Sequence, residues 1–573
     1  MTGLLALRTY EGAPAFQRPV REELYLLVAN QLFRGDSFYE RQADMTTQSR
    51  QLVQAVAAEP GGGHFIAALA IYARHQLMLR MTPTMLVCEA FLLALPEAEE
   101  AARAIWIRGD EHLDALAYLK AQGKFPKRFL RAVAERLNAL TERQALRYAG
   151  RGQGKAYSQR DALRITHARP KDERQAALFR SLTQGWKALT EAEQAQLPLM
   201  RAVRQGTQTV SWEQVISREG STSLTWAGVV PTMGYMALLR NLRTLVTLNV
   251  GDDVLQAAAK RLADPEEVAA SRQLPFRFYS AYNALLRPKV VWGKTKLPRW
   301  QVVAYWERKR VTLPARGYNA MEMALQHLGV QVPEPQPTQR SIRVQHSKFV
   351  QIGWQWIRTG HFPFAGFATN PVRHVPPVLL SAVEAAMECS AERLKNLPGR
   401  TAVFVDLSGS MYALVSDKGT ISRMEAACTL GGLLGRQAGC QVYAFGSWFK
   451  QVNLKDVPSA LQAAQRIHRT EHEVGGGTYL LPAFEEALTA HFDRVIVLTD
   501  EQVADAAWGR LKRYLDADSQ RQAYVINLAG YSPSFVGGHP RLISVGGFSD
   551  RVLDWMAALE QPDPIKVILG HLP

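Results

Sequence analysis

The chain has 573 residues, a net charge of +16 and a pI near 9.7; 47% of its residues are hydrophobic and 21% charged. That length excludes a single core and points to two or three domains, and the ordinary apolar-to-charged balance excludes a disordered or lipid-dissolved chain. The four cysteines, Cys88, Cys389, Cys428 and Cys440, stand far apart without CxxC or Cys/His spacing, which argues against a disulfide frame or a zinc site.

The charge is uneven. Residues 381–573 carry 18 Lys/Arg against 21 Asp/Glu, a net of −3, so the first 380 residues carry +19. A polyanion partner for the N-terminal part is the expectation, with a merely solubilising basic surface as the alternative. The opening "MTGLLALRTYEGAPAF" has no long apolar stretch, and no run of 18 apolar residues occurs anywhere, so a soluble, cytoplasmic, reduced protein with no membrane partner is expected.

From about residue 20 to 370 the pattern is helical. "EELYLLVANQLF", "QLVQAVAA", "FIAALAIYARHQL", "TMLVCEAFLLAL", "FLRAVAERLNAL" and "DDVLQAAAKRLA" place apolar residues at i, i+3 and i+4. Short breaks such as "EPGGG", "ARPKD", "VVPTMG" and "LRPKVVWGK" separate helices of about 10–18 residues. This predicts a HEAT-type helical-repeat array with divergent repeats, or alternatively an irregular bundle.

Within this part, residues 124–180 hold fifteen Lys/Arg against five Asp/Glu. Arg147, Arg151 and Lys155 recur at four-residue steps around "YAGRGQGKAY", where glycines predict a loop or a frayed helix end. Tyr148 and Tyr157 add stacking faces among the cations, which suits a phosphate backbone; a solvated basic helix face is the plainer reading. His167 in "LRITHARPKD" reads as a helix C-terminal cap, and with Lys171 also as an RNA-contact candidate.

A Pro-rich connection, "VPEPQPTQR", precedes the helical "SKFVQIGWQWIR" and "PPVLLSAVEAAMECSAERLKNL". The character then changes. Strand-like runs "AVFVDL", "QVYAFG", "RVIVLTD", "QAYVINL" and "RLISVGG" alternate with helical "ISRMEAACTLGGLLGRQA", "YLLPAFEEALTAH", "VADAAWGRLKRYL" and "SDRVLDWMAALE". That alternation predicts an α/β doubly wound parallel sheet with helices on both faces and its site at the carboxyl ends of the strands. The domains are expected at 20–370, 371–399 (a connecting helix) and 400–560.

The first strand ends in Asp406, followed at alternate positions by Ser408 and Ser410. Hydroxyls and carboxylates are hard ligands suited to Mg²⁺, Mn²⁺ or Ca²⁺. Alone, Asp-x-Ser-x-Ser is weak evidence, since a serine-rich turn after a strand is commonplace. "EVGGGTYLLPAF" adds Thr478 after three glycines, and "VIVLTDEQ" adds Asp500 at another strand end. The set resembles the metal-ion-dependent adhesion site of von Willebrand factor A domains. The resemblance implies direct ligation by Ser408, Ser410 and Thr478, and action largely through water by Asp406 and Asp500. It implies a Mg²⁺ ion whose open position takes an acidic group of a protein partner. His468, His472 and His491 have no spacing that aims them at the ion, so adhesion rather than catalysis is expected.

"LAIYARHQLMLRMTPTMLVCEAFL", "DALRITHARPKDERQAALFRSLTQGWKAL" and "VVPTMGYMALLRNLRTL" look like stretches of the TROVE module, and the chain as a whole resembles the Ro ribonucleoprotein family in a bacterial-type version. The resemblance implies a ring of HEAT-like repeats joined to a von Willebrand A domain, with Y RNA on the outer basic face and single-stranded 3′ ends of misfolded small non-coding RNAs in the hole. A monomeric, non-enzymatic protein within a ribonucleoprotein is implied, acting in RNA quality control with an exoribonuclease as a further partner. His167 matches the family's RNA-contacting histidine, whereas the "YAGRGQGKAY" loop departs from the family pattern. Arg240 and Arg243 in "LLRNLRTL" are candidates for the hole or for structure. The alternative function is a metal-dependent protein-adhesion module or a subunit of an ATPase- or chelatase-type complex; the chain has no GxxxxGK[ST] motif.

Overall fold

The structure is a computed structural model and describes residues 19–30, 42–148, 155–286, 375–415, 421–500, 503, 506–529, 539–546, 552–561 and 563–570. "VPEPQPTQR", "SKFVQIGWQWIR" and Arg151 lie outside these residues. The chain divides into two compact units, Met1–Ala281 with Pro377–Pro573, and Tyr282–Pro376. Of the second, only 282–286 and 375–376 are described.

The first unit begins with helices α1 (Val20–Asn30), α2 (Gln42–Ala57), α3 (Gly62–His75), α4 (Met81–Leu92), α5 (Ala98–Ile105), α6 (Glu111–Ala121) and α7 (Lys127–Asn138). Shorter helices follow: α8 (Glu142–Arg147), α9 (Gln159–Thr166), α10 (Glu173–Thr183), α11 (Glu191–Ala195), α12 (Pro198–Arg204), α13 (Trp212–Glu219) and α14 (Ser223–Val229). Then come α15 (Tyr235–Thr247), α16 (Asp252–Ala263), α17 (Pro265–Ser271) and α18 (Pro275–Leu286). Local chemistry sets several of the starts. Thr141 with Gln144, Ser158 with Asp161 and Thr190 with Glu193 form reciprocal caps that satisfy orphan backbone donors of α8, α9 and α11.

Successive helices stack on their neighbours and next neighbours: α3 on α4 and α5, α4 on α6, α5 on α7, α7 on α9. This is the packing of a helical-repeat array. The burial explains it: α3 and α4 are apolar almost all round and sit enclosed, as a helix with neighbours on several sides must. The region from α8 to α14 uses helices of only 5–11 residues, shorter than their sequence suggested, because Gly185, Gly206 and Gly220 take positive φ and Pro198 opens a new helix.

After α19 (Pro377–Ala391), which packs on α16 and α17, the chain enters the sheet. The strands are β1 (Thr401–Asp406), β2 (Cys440–Phe445), β3 (Phe449–Val452), β4 (Arg494–Thr499), β5 (Gln522–Asn527) and β6 (Leu542–Gly546), in the order β3-β2-β1-β4-β5-β6. All pairings are parallel except β2 with β3. The intervening helices are α20 (Arg423–Gly435), α21 (Ala460–Arg469), α22 (Glu471–Val474), α23 (Leu481–Ala487) and α24 (Ala507–Asp516), with α25 (Val552–Leu559) and α26 (Pro564–Leu569) after β6.

Both faces of the sheet are covered. On one, Phe404, Phe445 and Val497 pack with Phe484 of α23 and Leu511 and Leu515 of α24. On the other, Gly431 lets α20 approach so closely that an added Cβ would lie 2.7 Å from Val405 Cγ2. At the far end Trp555 of α25, 1% exposed, packs its ring 6.2 Å from Tyr524 of β5 and 6.3 Å from Tyr25 of α1, so α1 is sealed against the sheet's own helices. The order β2-β1-β4-β5 reverses direction between β1 and β4, which opens a crevice at their carboxyl ends.

Candidate functional site

Asp406 ends β1 at that crevice and is fully buried. Its Oδ1 accepts the Ser408 backbone N–H at 2.8 Å and its Oδ2 accepts the Thr499 hydroxyl at 2.6 Å. The carboxylate therefore both folds its own loop back and ties β1 to β4. The Ser408 and Ser410 hydroxyls lie 3.2 Å apart. Gly409 N–H donates to Gly476 O at 3.0 Å, which joins the serine loop to the glycine loop that carries Thr478. Tyr479 N–H donates to Gly446 O at 2.8 Å and Gly477 N–H to the Ser447 hydroxyl at 2.8 Å, so the β2–β3 turn holds the same loop from the other side. Gly446 has to be glycine: a Cβ there would collide with the Gly475 carbonyl oxygen.

Asp500 follows β4, is fully buried, and receives Arg423 Nη1 at 3.3 Å. Burial pushes the Asp406 carboxyl up to about 7; the Ser408 and Thr499 hydrogen bonds oppose the rise and the Asp500 charge adds to it. Two buried carboxylates on one edge, with the paired Ser408 and Ser410 hydroxyls, form a donor set that a hard divalent cation would compensate. The donors fit such an ion. Among the described residues no group of three His, Cys, Asp or Glu side chains forms an alternative site. Thr499 and Arg423 escaped the sequence reading. Thr499 is legible afterwards as the residue before Asp500 in "LTD", but Arg423 lies 77 residues from Asp500 and carries no local signal.

The basic candidates fall into two groups. Arg147 and Lys155 line one cleft of about 490 Å³ together with Arg108, Tyr148, Ser211 and Gln214. Arg147 is exposed, its guanidinium 5.7 Å from the Tyr148 ring centroid, and Arg108 covers that ring at 5.0 Å. Lys155 is different. Its Nζ sits 2.5 Å from Asp114 Oδ2 and 3.3 Å from Asp110 Oδ2, with 14% of its side chain exposed. It is an internal counter-charge here and not a free cation. Beneath the cleft, buried His112 contacts Gln159 Oε1 at 2.9 Å, and Gln159 Nε2 donates to the Gly109 and Tyr148 carbonyls.

His167 caps α9 in the left-handed region, φ 49°, as its position after the helical run suggested, and its side chain is exposed. Lys171 is exposed on the α9–α10 turn. Asn138 at the end of α7 clamps that turn: its Nδ2 donates to Arg169 O at 2.8 Å and its Oδ1 accepts Lys171 N–H at 2.9 Å. Arg131, Arg169 and Lys171 thereby line one groove of about 470 Å³ with Glu135, which is engaged by Arg103 at 3.1 Å. Lys127 lies one turn before Arg131 on α7 and is exposed, as are Arg131, Arg164 and Arg169. Among the described residues none of Lys127, Arg131, Arg164, Arg169 and Lys171 has a carboxylate partner. Arg240 is exposed and Arg243 half-buried on α15, where burial lowers the Arg243 pKa.

The family model of the TROVE domain matches residues 200–326. Telomerase protein component 1 of Rattus norvegicus is 32% identical over 79 residues, 13% of this chain and 3% of that protein, so the chain spans a small fraction of this relative's length. The crystal structure of the Deinococcus radiodurans Ro (RSR) protein matches with a TM-score of 0.61 at 18% identity, covering 94% of this chain and 99% of that one. At that identity the likeness is one of fold. Residues 200–326 thus match the TROVE domain, and the chain as a whole has the fold of a Ro protein.

Proposed function

We propose that the chain is a non-enzymatic RNA-binding protein that works as a ribonucleoprotein, binding Y RNA and the single-stranded 3′ ends of misfolded small non-coding RNAs in RNA quality control. The observation that carries this reading is the stripe of uncompensated cations on α7, α9 and the clamped α9–α10 turn: Lys127, Arg131, Arg164, Arg169 and Lys171, with His167 among them. Such a stripe matches a phosphate backbone in charge. Arg147 extends the surface over Tyr148, while Lys155 supports the cleft from within. An exoribonuclease would act on the bound RNA, and a cytoplasmic site suits that role. Among the described residues no helix is long and apolar enough to cross a membrane. Recovery of the tagged chain from its own cells, with sequencing of the RNA that accompanies it, tests the reading. Enrichment of small structured RNA supports it, and RNA no different from a bulk sample overturns it.

A second function is proposed for the sheet edge. Ser408, Ser410 and Thr478 would hold Mg²⁺, with Asp406 and Asp500 acting through water and through the loops they fix. The ion would supply an electrophilic position for an acidic group of a protein partner. The exposed Tyr412, Leu414, Trp448 and Tyr479 border the same loops and favour a protein partner there.

A further inference from the structure

On the outer face of the sheet domain, away from the strand carboxyl ends, α24 and the turn from α23 into β4 enclose a pocket of about 310 Å³. That size is at the lower end of the range for small-molecule sites. Its charged lining is Arg510, Arg513, Arg521 and His491, and no acidic side chain lines it. This is unexpected in the part of the chain whose net charge is −3.

The pocket is built rather than a loose cluster. Tyr514 is buried at its base: its hydroxyl accepts Phe492 N–H at 2.7 Å and reaches the carbonyls of Ala490 and Phe492, both at 3.1 Å. Arg521 lies over the Tyr514 ring at 4.0 Å, donates from Nη1 to Tyr514 O at 2.9 Å and from Nη2 to His491 Nδ1 at 3.4 Å. Since Nδ1 accepts, the His491 proton is on Nε2, which donates to Asp493 Oδ1 at 3.2 Å. Asp518 stands 3.6 Å from Arg521 Nε. Arg521 and His491 are thus frame members with partners.

Arg510 and Arg513, one helical turn apart on α24, are the free charges. Arg510 gives one hydrogen bond, Nη2 to Leu488 O at 2.9 Å, and is 5.9 Å from the Tyr514 ring. Among the described residues neither arginine has a carboxylate partner, and Arg513 is exposed. Guanidinium forks bind phosphate oxygens in pairs, and a pocket larger than one anion leaves room for the attached sugar. We propose that this pocket binds the phosphate group of a nucleotide, free or within an RNA strand, with Arg510 and Arg513 as its ligands. It is a second anion site, separate in sequence and in fold from the α7–α9 stripe.

Equilibrium dialysis of the full chain against labelled adenosine 5′-monophosphate tests this. The expected result is retention of the nucleotide, displacement by inorganic phosphate, and no retention of adenosine. Arg510→Gln with Arg513→Gln is expected to weaken retention at least about tenfold, while Arg513→Lys, which keeps the charge but loses the fork, weakens it less and Lys512→Gln leaves it unchanged. Displacement by a 5′-hydroxyl decauridylate assigns the site to a strand's phosphodiesters; displacement only by a 5′-phosphorylated one assigns it to terminal or free phosphate. A double variant that folds, by its unchanged circular dichroism, and retains the nucleotide as the parent does overturns the proposal, as does equal retention of adenosine. Loss of structured-RNA binding on substituting Lys127, Arg131 and Lys171, with nucleotide retention intact, keeps the two sites experimentally distinct.

Discussion

Arg423 of α20 and Asp500 after β4 form an ion pair of 3.3 Å at the sheet's carboxyl edge, the carboxylate fully buried and the guanidinium side chain 12% exposed. The arginine partly neutralises an edge that also holds buried Asp406. Replacing it by glutamine is expected to lower stability in chelator by about 3 kcal/mol, because a buried charge then loses a partner. In excess Mg²⁺ the loss should shrink, since the ion takes over the compensation. Thermal unfolding under both conditions reads the difference. An equal loss in both would make Arg423 purely structural.

Asp406→Ala removes the acceptor of both the Ser408 N–H and the Thr499 hydroxyl. The loop that presents Ser408 and Ser410 then loses its anchor. The parent is expected to gain stability with Mg²⁺ and to lose that gain with chelator, according to ligand linkage. The variant should show the same melting temperature with or without the ion. A variant that still responds as the parent does would remove Asp406 from the metal site.

His112 supplies a pH test. Burial lowers its pKa to about 4, the neighbouring Arg136 and Lys155 charges lowering it further while Gln159 and Asp110 act the other way. Its Nε2–H donates to Gln159, and Nδ1 has no acceptor for a second proton. Unfolded, the ring titrates near 6.5. Between about pH 6.5 and 4 the unfolded chain binds the extra proton, so this histidine's contribution to stability falls as pH falls through that window, by up to about 3 kcal/mol. Denaturant unfolding of the parent and of His112→Gln, at pH 7 and pH 5, isolates the term: the parent should lose more on acidification than the variant.

Lys155 and Arg147 line one cleft but should behave oppositely. Lys155→Gln leaves Asp110 and Asp114 short of a cation, although Arg80 and Arg108 remain nearby, and is expected to cost about 2 kcal/mol. Its effect on the salt dependence of RNA binding should be nil. Arg147→Gln should do the reverse, leaving stability within about 0.5 kcal/mol and reducing the salt slope. Denaturation and filter binding on the two variants decide between these assignments.

These contrasts show what local sequence can encode. β1 was legible because an unbroken apolar run ended in Asp406. The short edge strand β3, "FKQV", was not: two of its four residues are exposed, and its place is set by pairing across to β2, Val452 opposite Val442. α21 was also missed, although Ser459 caps it and its buried face is regular. Lys155 misled because its four-residue spacing from Arg151 looked like a common basic surface. Its real partner, Asp114, lies 41 residues upstream and is brought to it only by helix stacking.

The central claim is that the stripe on α7 and the α9–α10 turn holds RNA by its phosphates. The most direct measurement is the affinity for a structured small RNA as a function of salt, for the full chain and for a variant with Lys127, Arg131, Arg169 and Lys171 all replaced by glutamine. Each lost phosphate contact removes about 0.7–0.9 from the slope of log affinity against log salt, so the slope should become shallower by about 3 and the affinity at low salt should fall. An unchanged slope in a folded variant would contradict the claim.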